Sequence, residues 1–239
     1  RLGGVRAGGR VDAPRLGDAL ERILDDRRAA HDSMEFVHSD RDERTPLTHA
    51  ADRRIPRRAR QQRRLAEAFA RAGAHSTGID MGALPLQVAK LHRHESDLEI
   101  DYFQSTAEDV AIEHPGRFDV VTCLEMLEHV PDPGSVIRAC KQLLKPGGDL
   151  FISTINRNPK AYLFAIVGAE YLLNLLPRGT HDFEKFIRPS ELAKSLRETD
   201  FELKDVTGMT YNVINQTYSL NNDTDVNYLM HARHEPTPA

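Results

Sequence analysis

Cysteine is almost missing from this 239-residue chain. Only Cys123 and Cys140 occur, so no disulfide framework is open to it and a reducing compartment is expected. Long hydrophobic runs are missing too: no apolar stretch is long enough to cross a bilayer. No signal peptide opens the sequence, which starts on Arg1 rather than Met, as a fragment or processed chain would. A third absence is excess positive charge. With a formal net charge of −4 and a pI near 6.3, a generally basic nucleic-acid binder is excluded. The length suits one well-buried α/β domain.

That charge average hides an asymmetry, because a quarter of residues 1–64 are Arg while the remainder is acidic on balance. Region 1–64 scatters Gly, Arg, Asp and Pro without helical or strand period, apart from a candidate short helix over 19–30. Its Arg-rich run over 53–64 cannot be a buried strand, since so many guanidinium groups would cost more than burial returns. It reads either as a solvated arm or as a basic patch for nucleic acid or acidic lipid.

From Leu65 the pattern becomes regular. A helix is predicted over 65–72, ending at Gly73, then a strand over 75–80 and an amphipathic helix over 85–94. A strand over 98–103, a helix over 106–113 and a strand over 118–123 follow. Pro133 opens a helix to 144, stopped by Lys145-Pro146-Gly147-Gly148, and a strand covers 149–154. Strands alternating with helices at this spacing imply βαβ units in a doubly wound, mostly parallel sheet. Residues 161–176 are apolar nearly all round, either a helix packed on the sheet or an amphipathic lid for a membrane or a greasy substrate. A helix over 189–198 and strands over 201–210 and 226–232 complete the domain, the two strands joined by an Asn-rich connection over 212–222. Residues 235–239 are a tail.

The stretch from Phe118 to Val130 organises the rest. After a buried strand it places Glu125, Glu128 and His129 at i, i+3 and i+4, which stacks two carboxylates and an imidazole on one face of a helical turn. Such a trio suits a divalent cation or removal of a proton from a substrate hydroxyl, and equally an ordinary polar first turn. Asp80, Ser105-Thr106-Ala107-Glu108 and Cys123-Leu124-Glu125 all fall at the carboxyl ends of predicted strands, where open parallel sheets bind ligands. Singly, each acid is an ordinary loop residue.

Several segments carry a resemblance: Thr77-Gly78-Ile79-Asp80-Met81-Gly82, Pro85-Leu86-Gln87-Val88-Ala89-Lys90, Leu124-Glu125-Met126-Leu127-Glu128-His129-Val130-Pro131-Asp132-Pro133 and Leu144-Lys145-Pro146-Gly147-Gly148. Together they resemble the class I S-adenosylmethionine-dependent methyltransferases. Ser153-Thr154-Ile155-Asn156-Arg157-Asn158, Val167-Gly168-Ala169-Glu170-Tyr171, Pro177-Arg178-Gly179-Thr180-His181-Asp182 and Asp225-Val226-Asn227-Tyr228 narrow it to the bacterial ubiquinone-biosynthesis O-methyltransferases, which methylate polyprenyl catechols and demethylubiquinol. The resemblance implies a seven-stranded Rossmann-like domain over 65–234 with an apolar insertion over 158–188. It implies that Asp80 binds the ribose of S-adenosylmethionine, Met81 packs on adenine, Thr106 and Ala107 meet the adenine edge and Leu124 lines the methionine side. It also implies a divalent cation, Mg²⁺ in type, on Glu125, Glu128 and His129, with Glu128 and His129 serving the chemistry. His181 is a further candidate, as fourth ligand or general base, or a plain surface histidine.

From the same resemblance follow a polyprenyl phenol or quinol substrate, contact of 161–176 with the inner face of the cytoplasmic membrane, membership of a quinone-biosynthesis complex and no nucleic-acid partner. One element of the family is out of place. Its first strand and loop, ending Asp-Val-Gly-Cys-Gly-Gly-Gly, should precede Leu65, where residues 57–64 are Arg-rich instead. A shifted reading frame upstream of Leu65 would turn a glycine run into an arginine run. Two rival functions are an RNA 2′-O-methyltransferase, whose ribose hydroxyls would meet the acid-acid-histidine trio, and a catalytically degenerate scaffold.

Overall fold

The computed structural model describes residues 33–38, 65–163, 182–212 and 217–235. The expected helix over 19–30, the Arg-rich run, His181 and most of 161–176 lie outside them. Among the described residues, eight strands form one sheet in the order β3-β2-β1-β4-β5-β8-β6-β7. They are β1 (Ser33–His38), β2 (His75–Asp80), β3 (Ile100–Gln104), β4 (Phe118–Leu124), β5 (Leu144–Ile155), β6 (Phe201–Asn212), β7 (Thr217–Asn221) and β8 (Asn227–His234). The longer helices among the described residues are α1 (65–71), α2 (Ala83–Ser96), α3 (Ala107–Glu113), α4 (Pro133–Leu143) and α5 (Pro189–Glu198), with one further turn at Pro159–Ala161.

The doubly wound α/β architecture matches the expectation, with β7 as an additional edge strand inside the Asn-rich connection. β2 pairs parallel with β3, and β4 with β5. β1 is the departure. No strand is expected in 1–64, yet Ser33–His38 fills the slot between β2 and β4 and runs antiparallel to both. β2 and β4 therefore point the same way, and the strand between them points against them.

β4 is buried along nearly its whole length because its Val, Cys and Leu side chains meet helices on both faces. Val121 and Cys123 face one core with Leu150 and Ile152 of β5, covered by α3, α4 and α5. Val120, Leu124 and Phe151 face the other, under Leu65 and Phe69 of α1. α2 joins that second layer through Leu86 and Ala89 against Ile100 and Tyr102. Local signals set the helix starts: Thr106 accepts the Asp109 N–H, and Asp132 accepts the Gly134 N–H just before Pro133. Lys145-Pro146-Gly147-Gly148, expected as a stop between helix and strand, forms an irregular first part of β5, with Gly147 at φ 77°.

Candidate active site

The carboxyl ends of β2, β3, β4 and β5 share one edge of the sheet, and most of the candidate residues emerge there. Asp80 ends β2. Its Oδ1 accepts the Gly82 N–H at 2.5 Å, closing a tight turn that a side chain at Gly82 would crowd: a Cβ there would stand 2.9 Å from Asp80 Oδ1 and 3.1 Å from Pro85 Cδ. Met81 is 65% exposed on the rim, and Gln104 at the end of β3 donates to its carbonyl. Phe103 is exposed beside it, Thr106 caps α3, Ala107 is buried as the first residue of that helix, and Leu124 is buried as the last of β4.

Glu125 and Glu128 follow Leu124, but not on one helical turn. Glu125 has φ 49° and still belongs to the sheet's hydrogen bonding, its N–H donating to both the carbonyl and the Oγ of Ser153 at 3.1 Å. Within this stretch only Leu127–His129 is helical, as a 3-10 turn. The chain is held to β5 on one side, and on the other Pro131 disfavours helical backbone at Val130, so the predicted α-turn has no room.

Both carboxylates are buried, 2% and 3% exposed, Glu125 turning toward β5 and β8 and Glu128 toward β5. Ser153 Oγ donates to Glu125 Oε1 at 2.7 Å, and Asn227 Nδ2 donates to Glu125 Oε2 at 2.9 Å. Thr154 Oγ1 donates to Glu128 Oε2 at 2.6 Å. Their charge is felt nearby. Burial first, then Glu128 and Glu125, holds the Tyr228 hydroxyl above its ordinary range, and the Cys123 thiol is raised by burial, Cys140 and the same two acids. His129 is half-buried at the end of the 3-10 turn. Among the described residues, no three His, Cys, Asp or Glu side chains form a group placed to hold a metal ion.

Ser153, Thr154 and Asn227 carry no role in the sequence reading. The signal was two hydroxyls at the end of an apolar strand, and their partners lie 28, 26 and 102 residues away. The first residues of the apolar segment lie at the same edge: Ala161 packs with Ile155 and Phe186, and exposed Tyr162 meets Phe183 edge-on at 5.4 Å. A cavity of about 650 Å³ opens at the other end of β2 and β3, lined by His75, Arg93, Ile100 and Arg117, away from the carboxylates.

Comparison with known proteins gives the family. The family described as "Methyltransferase domain" matches residues 62–152. The ubiquinone biosynthesis O-methyltransferase of Pseudomonas aeruginosa (strain UCBPP-PA14) is 65% identical over 171 residues, which cover 72% of this chain and 74% of that protein. The protein of the same name from Saccharophagus degradans is 64% identical over 170 residues, covering 71% and 72%. Among solved structures, the [4+2]-cyclase SpnF superposes with a TM-score of 0.55 at 16% identity over 93% of both chains. A SAM-dependent methyltransferase of Thermotoga maritima gives 0.51 at 14% identity, covering 66% of this chain and 72% of its own. At such identities the structural likeness concerns the fold alone.

Proposed function

This chain belongs to the ubiquinone biosynthesis O-methyltransferases, and from that premise we infer how its sheet edge performs the reaction. It is an S-adenosylmethionine-dependent O-methyltransferase acting on a polyprenyl phenol or quinol. The observation that carries the detailed reading is that Asp80, Thr106, Leu124 and Glu125 line one edge of a single sheet, where such folds receive ligands.

The rim residues fit the methyl donor. Asp80 is held by the Gly82 turn as an acceptor for ribose hydroxyls, and exposed Met81 and Phe103 offer apolar surface to a flat base. Thr106 and Ala107 would border the adenine edge, and Leu124 would pack on the methionine side. When bound, S-adenosylmethionine supplies an electrophilic methyl on a sulfonium centre. Glu128 and His129 serve the acceptor: one of them takes the phenol proton as the new O–CH₃ bond forms and the S–CH₃ bond breaks. Held beside the methyl donor by this side of the site, the hydroxyl would have much of its barrier met by orientation. His181, from outside the described residues, is the further candidate base.

The resemblance also implies a divalent cation on Glu125, Glu128 and His129. As placed, these residues do not fit one, since the two carboxylates are turned into hydrogen bonds with Ser153, Asn227 and Thr154. Proton removal is therefore assigned to the side chains themselves.

The prenyl tail needs an apolar berth, and the segment over 161–176 is assigned to it, with contact to the inner face of the cytoplasmic membrane and to a quinone-biosynthesis complex. Exposed Tyr162 and Leu163 at its root support this. No helix among the described residues is long and apolar enough to cross a membrane. Region 1–64 is assigned to a shifted reading frame, which the antiparallel β1 supports: it enters the sheet from the very edge where the family's glycine-rich loop should leave it.

Calorimetric titration with S-adenosylmethionine, followed by transfer of its methyl to a short-chain polyprenyl catechol, tests the reading. Binding and a methylated catechol are expected, and binding without methylation of any phenol would refute it.

A further inference from the structure

The end of β5 is buried from Leu150 to Ile155, and within that run Ser153 and Thr154 bring hydroxyls where the other side chains are apolar. Each hydroxyl is committed to one glutamate. Ser153 is bound twice to the same residue, accepting the Glu125 N–H and donating to Glu125 Oε1. Asn227, across the β5–β8 ladder beside Ile155, completes that carboxylate from the other side. Glu125 thereby ties the ends of three strands together, while Glu128, three residues on, is oriented by Thr154 alone of the three.

Stability alone does not account for this. Burying two carboxylates is costly, and replacing both partners of a buried polar pair by apolar groups of the same shape is close to neutral or better. A purely structural end to β4 would be served by apolar side chains. The acids instead sit beside Leu124, at the edge assigned above to methyl transfer.

We propose that Ser153, Thr154 and Asn227 are positioning residues of the methyl-transfer site. Ser153 and Asn227 fix Glu125 as a brace joining β4, β5 and β8, and Thr154 aims Glu128 at the hydroxyl of the bound phenol. This rests on the methyl-transfer reading above and deepens it. Thr154 acts through Glu128 on the proton-transfer step. Asn227 and Ser153 act through Glu125 on where the 3-10 turn, and so Glu128, stands.

The test compares the full chain with Thr154→Val, Thr154→Ser and Asn227→Leu. Measured are kcat and KM on a short-chain polyprenyl catechol, calorimetric Kd for S-adenosylmethionine and for the catechol, and the thermal midpoint. Thr154→Val, which keeps the shape and loses the hydroxyl, is expected to lower kcat by about tenfold with the S-adenosylmethionine Kd within about twofold of the parent. Thr154→Ser restores most of kcat, and Asn227→Leu lowers it in the same sense. Thr154→Val and Asn227→Leu with kcat and catechol Kd both within about twofold of the parent, whatever their thermal midpoints, would overturn the proposal. If the parent binds S-adenosylmethionine but methylates no catechol, the functional reading fails, and positioning is judged on catechol Kd. A rise of about fivefold in Thr154→Val that Thr154→Ser reverses supports it, and an unchanged Kd refutes it.

Discussion

Asn227, the first residue of β8, reaches 2.9 Å to the carboxylate of Glu125, the residue that follows β4, across 102 positions of sequence. That bond ties the last described strand to the residue just past the end of β4.

Glu128→Gln keeps the size of the side chain and removes its charge. Turnover on a polyprenyl catechol should fall by about 10² or more, while affinity for S-adenosylmethionine stays within about twofold, because the donor is assigned to Asp80 and Leu124. Steady-state kinetics with calorimetry checks both, and an undiminished kcat would remove Glu128 from the chemistry.

Asp80→Asn retains an oxygen to accept the Gly82 N–H, so the turn survives and the ribose contact is isolated. Affinity for S-adenosylmethionine should weaken by about tenfold or more, the scale of a hydrogen bond to a charged group, with little loss of kcat at saturation. Equal affinity in parent and variant would move the ribose elsewhere.

Leu150 is completely buried in the larger core, against residues of β4 and the helices on that face. Leu150→Ala should cost about 2–5 kcal/mol in denaturant unfolding by opening a cavity. A loss under about 1 kcal/mol would mean that the sheet closes over the gap, contrary to the packing described.

Lys160 bridges Asp223 and Asp225 at 2.9 Å, fastening the root of the apolar segment to the turn before β8. Its side-chain hydrogen bond holds the Asp223 carboxyl below the ordinary 3.8. A depressed acid stabilises the fold above its unfolded value and loses that contribution as pH falls through the folded one. Amide exchange at Ala161 and Tyr162 should therefore accelerate, beyond its intrinsic pH dependence, only below about pH 4. In Lys160→Met the excess exchange should already be present at neutral pH; protection that is the same in both proteins would break the link.

Much of the frame was legible because it rests on local periodicity. The span of β2 and the α5 helix match their sequence patterns residue for residue. β1 was not legible. In Ser33-Met34-Glu35-Phe36-Val37-His38 only Met34 and Phe36 alternate with polar residues before Val37 breaks the pattern, and Arg-rich sequence surrounds it. The site divided in the same way. Glu125, Glu128 and Asp80 could be picked out by position after strands. Their partners could not, because a hydroxyl on β5 and an amide on β8 meet Glu125 only after the sheet has assembled. Nor could the left-handed backbone at Glu125, since neither Gly nor Asn marks it.

That backbone posture bears on how freely the site can drift over evolutionary time. Left-handed φ disfavours an ordinary side chain by roughly 1–2 kcal/mol, a penalty that glycine escapes and asparagine softens. Random change at position 125 would therefore slide toward those two residues and be rewarded with a calmer main chain. The glutamate there is held against a conformational gradient, and Glu125→Gly would ease the main chain only by stripping Ser153 and Asn227 of their shared partner.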